Sequence, residues 1–173
     1  MKSAVEQLST YKSVHLNPNN IRTHFIGVPM IIWSAFLMLG TLRVAWQDYQ
    51  ISLAMVVTVV VLAYYMMLHV RLALGLVLFI LPVLYTTERV VHSAHPFVIA
   101  ISIFVIGWVI QFVGHKYEKA KPAFMDDLNQ LLIGPFFLMA ELYFMFGWEK
   151  NLEAEIKPIA RDKRRALEAK LRG

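Results

Sequence analysis

Phe97-Val-Ile-Ala-Ile-Ser-Ile-Phe-Val-Ile-Gly-Trp-Val-Ile-Gln-Phe-Val-Gly114 contains no charged side chain. A helix that crosses a bilayer needs about 20 mostly apolar residues, and this run with its flanks reaches that length. Its apolar residues are continuous rather than alternating, and an open sheet could not satisfy its backbone polar groups in lipid. The stretch therefore predicts a membrane-embedded helix, with strands not expected.

Three more runs share this character: Thr23–Leu42, Ile51–His69 and Leu72–Thr87. A fifth, Leu131–Trp148, is interrupted by Gly134-Pro135 and carries Glu141 at its middle. Between Thr23 and Gln111 the only charged residues are Arg43, Asp48, Arg71, Glu88 and Arg89, and they fall between the runs. The expected fold is all-α, a polytopic membrane helical bundle of four spanning helices plus a fifth broken or re-entrant apolar helix. Asn20, after the turn former Asn17-Pro18, is the expected N-cap of the first span. Pro96 suits the first turn of the fourth, and Pro82 is expected to kink the third.

Composition agrees. The 173 residues are 58% hydrophobic and 17% charged, more apolar surface than a soluble domain of this length can hide. The absence of cysteine excludes disulfides, thiolate metal sites and a cysteine nucleophile. The polar N-terminus, with Glu6 and no apolar centre, is not a cleavable signal peptide. The formal net charge of +5 lies mostly outside the apolar runs. It fits contact with the anionic headgroups of a lipid bilayer, and no nucleic-acid partner is expected.

The positive-inside rule gives an orientation. Lys2, Lys12 and Arg22 precede the first run, Lys116, Lys119 and Lys121 follow the fourth, and the tail is rich in Lys and Arg. Four spans put all of these, and both termini, on the cytoplasmic side. Five would export the most basic segment. Residues 1–149 are then expected to form a membrane-embedded bundle, and 150–173 a basic amphipathic cytoplasmic tail.

This orientation sorts the six histidines. His15, His24, His69 and His115 fall at the cytoplasmic ends of separate segments, and His92 and His95 at the opposite face. A single histidine at such a level is usually an interfacial side chain, but four at one depth suggest a metal site, for which imidazole suits iron, zinc or copper. In His15-Leu-Asn-Pro-Asn-Asn-Ile-Arg-Thr-His24 two histidines bracket an Asn-Pro turn. In Gln111-Phe-Val-Gly-His115-Lys-Tyr-Glu118 the spacing puts Gln111, His115 and Glu118 on one helical face, a spacing with which bundles take two ligands from one helix. An ordinary polar helix exit has the same look. Glu141 is costly at membrane depth unless paired or facing a polar cavity; Arg22 and Arg43 are its candidate structural partners.

Tyr11-x-x-x-His15-x-Asn17-Pro18-x-Asn20-x-x-x-His24-x-x-x-x-Pro29 and Trp108-x-x-Gln111-Phe-Val-Gly-His115, with Glu118, Pro122-Ala123, Pro135 and Glu141, resemble paired signatures of a known family. It is the yeast-type 2-hydroxy fatty acid dioxygenase family of the endoplasmic reticulum and bacterial membranes. The resemblance runs from about Tyr11 to Glu141. It implies a multi-pass protein of the bacterial inner membrane or endoplasmic reticulum. It also implies an Fe(II)-dependent oxygenase that uses O2 to shorten a 2-hydroxy fatty acid by one carbon, as in fatty acid α-oxidation. The essential histidines carry over to His15, His24 and His115. Glu118 as a further ligand rests on spacing, and His69 on orientation alone. Arg22, Gln111, Lys116 and Glu141 are candidate substrate contacts, and Asn17 and Asn20 candidate supports of the ligands.

Two rival readings differ in metal content. A di-iron lipid hydroxylase or desaturase uses denser histidine boxes than this chain has. A non-catalytic scaffold or small transporter needs no metal. The sequence sets no oligomeric state.

Overall fold

The computed structural model describes residues 2–125 and 127–172. Helix dominates: α1 (Ala4–Ser13), α2 (Pro18–Gly40), α3 (Leu53–Leu68), α4 (Val70–Val90), α5 (Pro96–Glu118), α6 (Gln130–Met145) and α7 (Lys150–Arg172). Helices α2, α4 and α5 are long and apolar enough to cross a membrane.

The run Ile51–His69 departs from expectation, because α3 covers only Leu53–Leu68 and is shorter than those three. Its first residues belong to an antiparallel hairpin, β1 (Arg43–Trp46) and β2 (Tyr49–Ser52), with Arg43 opposite Ser52 and Trp46 opposite Tyr49. Val44, Trp46, Tyr49 and Ile51 are strand formers, but the Gln47-Asp48 turn has no glycine to announce it; Gln47 itself takes φ 53°. Ser52 then starts α3 as N-cap, its Oγ accepting from Met55 N at 3.2 Å.

Two helix limits also move. Helix α2 begins at Pro18, so Asn17 rather than Asn20 stands at the cap, with its Oδ1 accepting from Asn19 N at 2.9 Å. Proline at the first helical position costs no hydrogen bond, and Asn20 is left inside the helix and fully buried. Helix α6 runs through Gly134-Pro135, and the chain instead turns by 120° between α6 and α7. Gly147 there takes φ 73° and Glu149 φ 53°. Pro96 opens α5 as the sequence predicts.

The chain divides into two compact units, residues 25–111 and the two terminal segments 1–24 with 112–173. In the first, α3 and α4 pack together, joined by His69 in extended conformation. Arg43 pairs with Glu88, which also accepts from Ser52 Oγ at 2.5 Å; the hairpin is thereby tied to the end of α4. Helices α2 and α5 approach through glycine. A Cβ on Gly107 would lie 2.9 Å from Ile31 Cγ1, and one on Gly27 2.9 Å from Gly107 O. Small residues at such a crossing let backbones approach where lipid offers no hydrophobic drive between helices. Outward-facing Val59, Val60, Leu78, Val105 and Val109 are exposed, as a lipid-solvated surface requires.

In the second unit α1 lies against α6 and α7. Leu8, Tyr11, Ile133, Phe136, Phe137 and Ile156 form its buried apolar core. Leu152, Ile156 and Ala160, spaced at i, i+4 and i+8, turn the apolar stripe of α7 inward. Lys163 Nζ donates to Thr10 Oγ1 at 2.6 Å, Ser9 Oγ at 3.2 Å and Glu6 O at 3.3 Å.

Gly107→Val forces side chain into the α2 backbone, and overpacking of this kind costs about 1–3 kcal/mol. The expected outcome is a lowered unfolding midpoint in detergent micelles, with Val105→Ala on the exposed surface leaving it unchanged.

Candidate metal centre

Tyr11 and Asn20 each lie one helical turn before a histidine, and each offers that histidine its backbone carbonyl. His15 Nδ1 donates to Tyr11 O at 2.7 Å and His24 Nδ1 donates to Asn20 O at 2.8 Å. A carbonyl only accepts, so both Nδ1 atoms carry the proton and both neutral rings present a lone pair at Nε2. Those two Nε2 atoms face each other at 2.9 Å. Opposed lone pairs at this distance repel unless they share a cation, either a proton or a metal ion.

His115, from the last turn of α5, completes the group. Its ring centre is 5.0 Å from that of His15 and 5.1 Å from that of His24. Its Nδ1 is buried without a hydrogen-bond partner. One ligand nitrogen from each of the three histidines lies within 4.8 Å of the others. With metal–nitrogen bonds of about 2.0–2.1 Å, ligands at right angles stand about 3 Å apart, close to the His15–His24 separation. An all-imidazole donor set with one orphaned nitrogen fits a borderline transition metal such as iron, zinc or copper.

The surroundings fix these rings. Tyr11 stacks on His15 with centres 4.1 Å apart and planes 7° from parallel, and Phe137 lies 5.5 Å from the same ring. Burial, reinforced by the neighbouring His24, holds the His15 imidazole well below its ordinary pKa. It is therefore neutral, the form that ligates metals.

Glu118 is buried, and both its oxygens are engaged. Oε1 accepts from Leu16 N at 3.0 Å and from Arg164 Nη1 at 3.2 Å. Oε2 accepts from Asn17 N at 2.8 Å and Asn20 Nδ2 at 3.2 Å. The expected extra ligand is thus occupied in clamping the turn after His15, and it stands outside the cluster of three. Asn17 Nδ2 donates to Tyr117 O at 3.0 Å. Gly114 permits the close approach of α2 here, since a Cβ would lie 2.1 Å from Thr23 Oγ1 and 2.6 Å from Asn20 Oδ1.

The remaining candidates separate. His69 caps α4, its Nδ1 accepting from Leu72 N at 3.4 Å, and is not in the cluster. His92 and His95 are exposed between α4 and α5. Gln111, one turn before His115, is buried with Nε2 unpartnered. Arg22 and Lys116 are exposed, Arg22 donating to Asn19 Oδ1 at 3.5 Å. Glu141 pairs with Lys12 at 2.5 Å, not with Arg22 or Arg43. The sequence marks Lys12 and Arg164 only as members of basic clusters; nothing local singles them out as the partners of Glu141 and Glu118.

The fold is that of a helical protein with three helices long and apolar enough to cross a membrane, and it gathers three histidines whose ring nitrogens could hold a metal ion. The family model described as 2-hydroxy-palmitic acid dioxygenase Mpo1-like matches residues 1–146. The chain is also 36% identical over 165 residues to 2-hydroxy-palmitic acid dioxygenase MPO1 of Saccharomyces cerevisiae, covering 93% of this chain and 91% of the relative. No solved structure matches it. The chain belongs to the Mpo1-like 2-hydroxy-palmitic acid dioxygenase family.

Acid should destabilise the metal-free protein. His15 titrates near its ordinary value of 6.5 when unfolded and lower when folded, so below pH 6.5 the unfolded chain binds the extra proton. Stability is full above 6.5 and falls as pH drops toward the folded pKa. Thermal unfolding of chelator-treated protein across this range should show that loss, with a shallower slope in His15→Ala.

Proposed function

We propose that this chain is a membrane-embedded Fe(II) dioxygenase that uses O2 to shorten 2-hydroxy fatty acids by one carbon. The observation that carries this reading is the His15 Nε2–His24 Nε2 approach of 2.9 Å, with each opposite nitrogen committed to a carbonyl. Family membership supplies the substrate class.

His15, His24 and His115 are the ligands. When bound, iron(II) supplies the redox chemistry that lets O2 react with a closed-shell acid, and histidine ligation with open positions suits that task. Tyr11 O and Asn20 O hold two of the rings in the correct tautomer, an arrangement that also raises ligand basicity. Glu118 positions the turn that carries His15 and is not itself a ligand. Gln111, with its buried unpartnered Nε2 one turn from His115, is the candidate donor to a substrate oxygen. The Lys12–Glu141 pair is a structural support for α1 on α6. The Lys and Arg distribution favours both termini on the cytoplasmic side. Three ligand nitrogens in one cluster favour a single ion over a di-iron centre.

Anaerobically purified protein should contain one iron per chain and consume O2 with a 2-hydroxylated but not an unhydroxylated fatty acid. Carboxyl-labelled substrate should release its label in a one-carbon product. Equal O2 uptake with both acids, or no iron, overturns the reading. His15→Ala, His24→Ala and His115→Ala should each abolish turnover, and His92→Ala should retain it.

A further inference from the structure

We infer that the C-terminal helix α7 locks the metal centre, and that Arg164 is its positioning residue. The inference rests on the metal reading of the histidine trio. The family model ends at residue 146, and Arg164 lies beyond it.

The geometry is specific. Arg164 Nη1 meets Glu118 Oε1 at 3.2 Å and Nη2 meets Glu118 O at 3.0 Å. One guanidinium thus binds the side chain and the backbone of the residue that ends α5, while its Nε donates to Glu168 Oε1 at 2.7 Å. The Glu118 side chain is 2% exposed and that of Arg164 17%, so solvent screens this pair far less than the Arg165–Asp162 pair, at 81% and 73%. From Glu118 the constraint passes directly to the Leu16 and Asn17 amides, the two peptide groups after His15. Removing Arg164 leaves a buried carboxylate short of its one cationic partner among the described residues, and the turn is free to shift His15 relative to His24. Lysine cannot replace it fully, since an ammonium lacks the planar fork that reaches both acceptors.

The test uses the full chain in detergent micelles with two readouts. Hydrogen exchange at the Leu16 and Asn17 amides is followed in metal-free protein, and Co(II) is titrated as a spectroscopic probe of the trio. Arg164→Ala should speed exchange at those two amides and weaken Co(II) binding about 10- to 100-fold, the usual effect of losing an outer partner of a metal site. Arg164→Lys should fall between, Arg165→Ala should match wild type, and added guanidinium should restore part of the Arg164→Ala loss. Unchanged exchange and unchanged Co(II) affinity in Arg164→Ala and Arg164→Lys overturn the lock. So does a lowered melting temperature with both site readouts at wild-type values. If Arg164→Ala does not fold, the graded effect in Arg164→Lys decides. Wild-type protein that binds no Co(II) while Arg164→Ala still loosens the two amides defeats the metal reading and leaves the lock standing.

Discussion

A carboxylate out of water costs several kcal/mol unless every lone pair finds a donor. Glu118 meets that demand with two backbone N–H groups, the Asn20 amide and the Arg164 guanidinium. Hydrogen bonds to a charged group contribute about 1.5–3 kcal/mol each, so the set offsets the desolvation. Its effect is geometric as well. The donors come from the α1–α2 turn, from α2 and from α7, and all converge on the end of α5. With the turn fixed there, His15 and His24 have no freedom to relieve their close approach by moving the backbone.

The imidazoles are prepared by repetition of a single local device. Each of two helical turns offers a carbonyl to a histidine four residues later, which fixes the tautomer and aims Nε2 away from the helix. Such preparation is what a metal site demands of its surroundings. His69 has the same residue type but a different task, because its ring nitrogen is used on the first turn of α4. Tyr11 serves twice, as carbonyl acceptor and as stacking face. Glycine has a parallel role along α5: Gly107 and Gly114 leave room for α2 where any side chain would collide.

The helical, apolar character and the start of α5 at Pro96 were legible in sequence, whereas its end lies at Glu118, beyond the apolar run that stops at Gly114. The grouping of His15, His24 and His115 followed from the paired motifs and is the one the structure brings together. Uninterrupted apolar length is a local signal, whereas histidine placement at helix ends also included His69, which the structure leaves outside the cluster. The hairpin at 43–52 was not legible, because its turn lacks glycine and its strands are as apolar as the helices beside them. Neither was the cap of α2. Asn17 and Asn20 are chemically alike; Pro18 at the first helical position leaves Asn17 as the cap, and Asn20 turns its amide to the buried Glu118.

Charge partners were the part least visible in one dimension. Glu141 called for a cation, and the sequence offered many; packing of α1 on α6 chose Lys12. Glu118 at helical spacing from His115 looked like a ligand, and tertiary structure turned it into a clamp by placing four donors around it. Arg164 stood in a tail that reads as basic and amphipathic, and it reaches Glu118 because Leu152, Ile156 and Ala160 bury that helix on α1. The sequence by itself determined where the long apolar helical runs lie and which imidazoles stand at their ends, since both follow from composition and local periodicity. Which charges meet was decided only by the tertiary structure, because an ion pair depends on distances between segments that no spacing along the chain specifies.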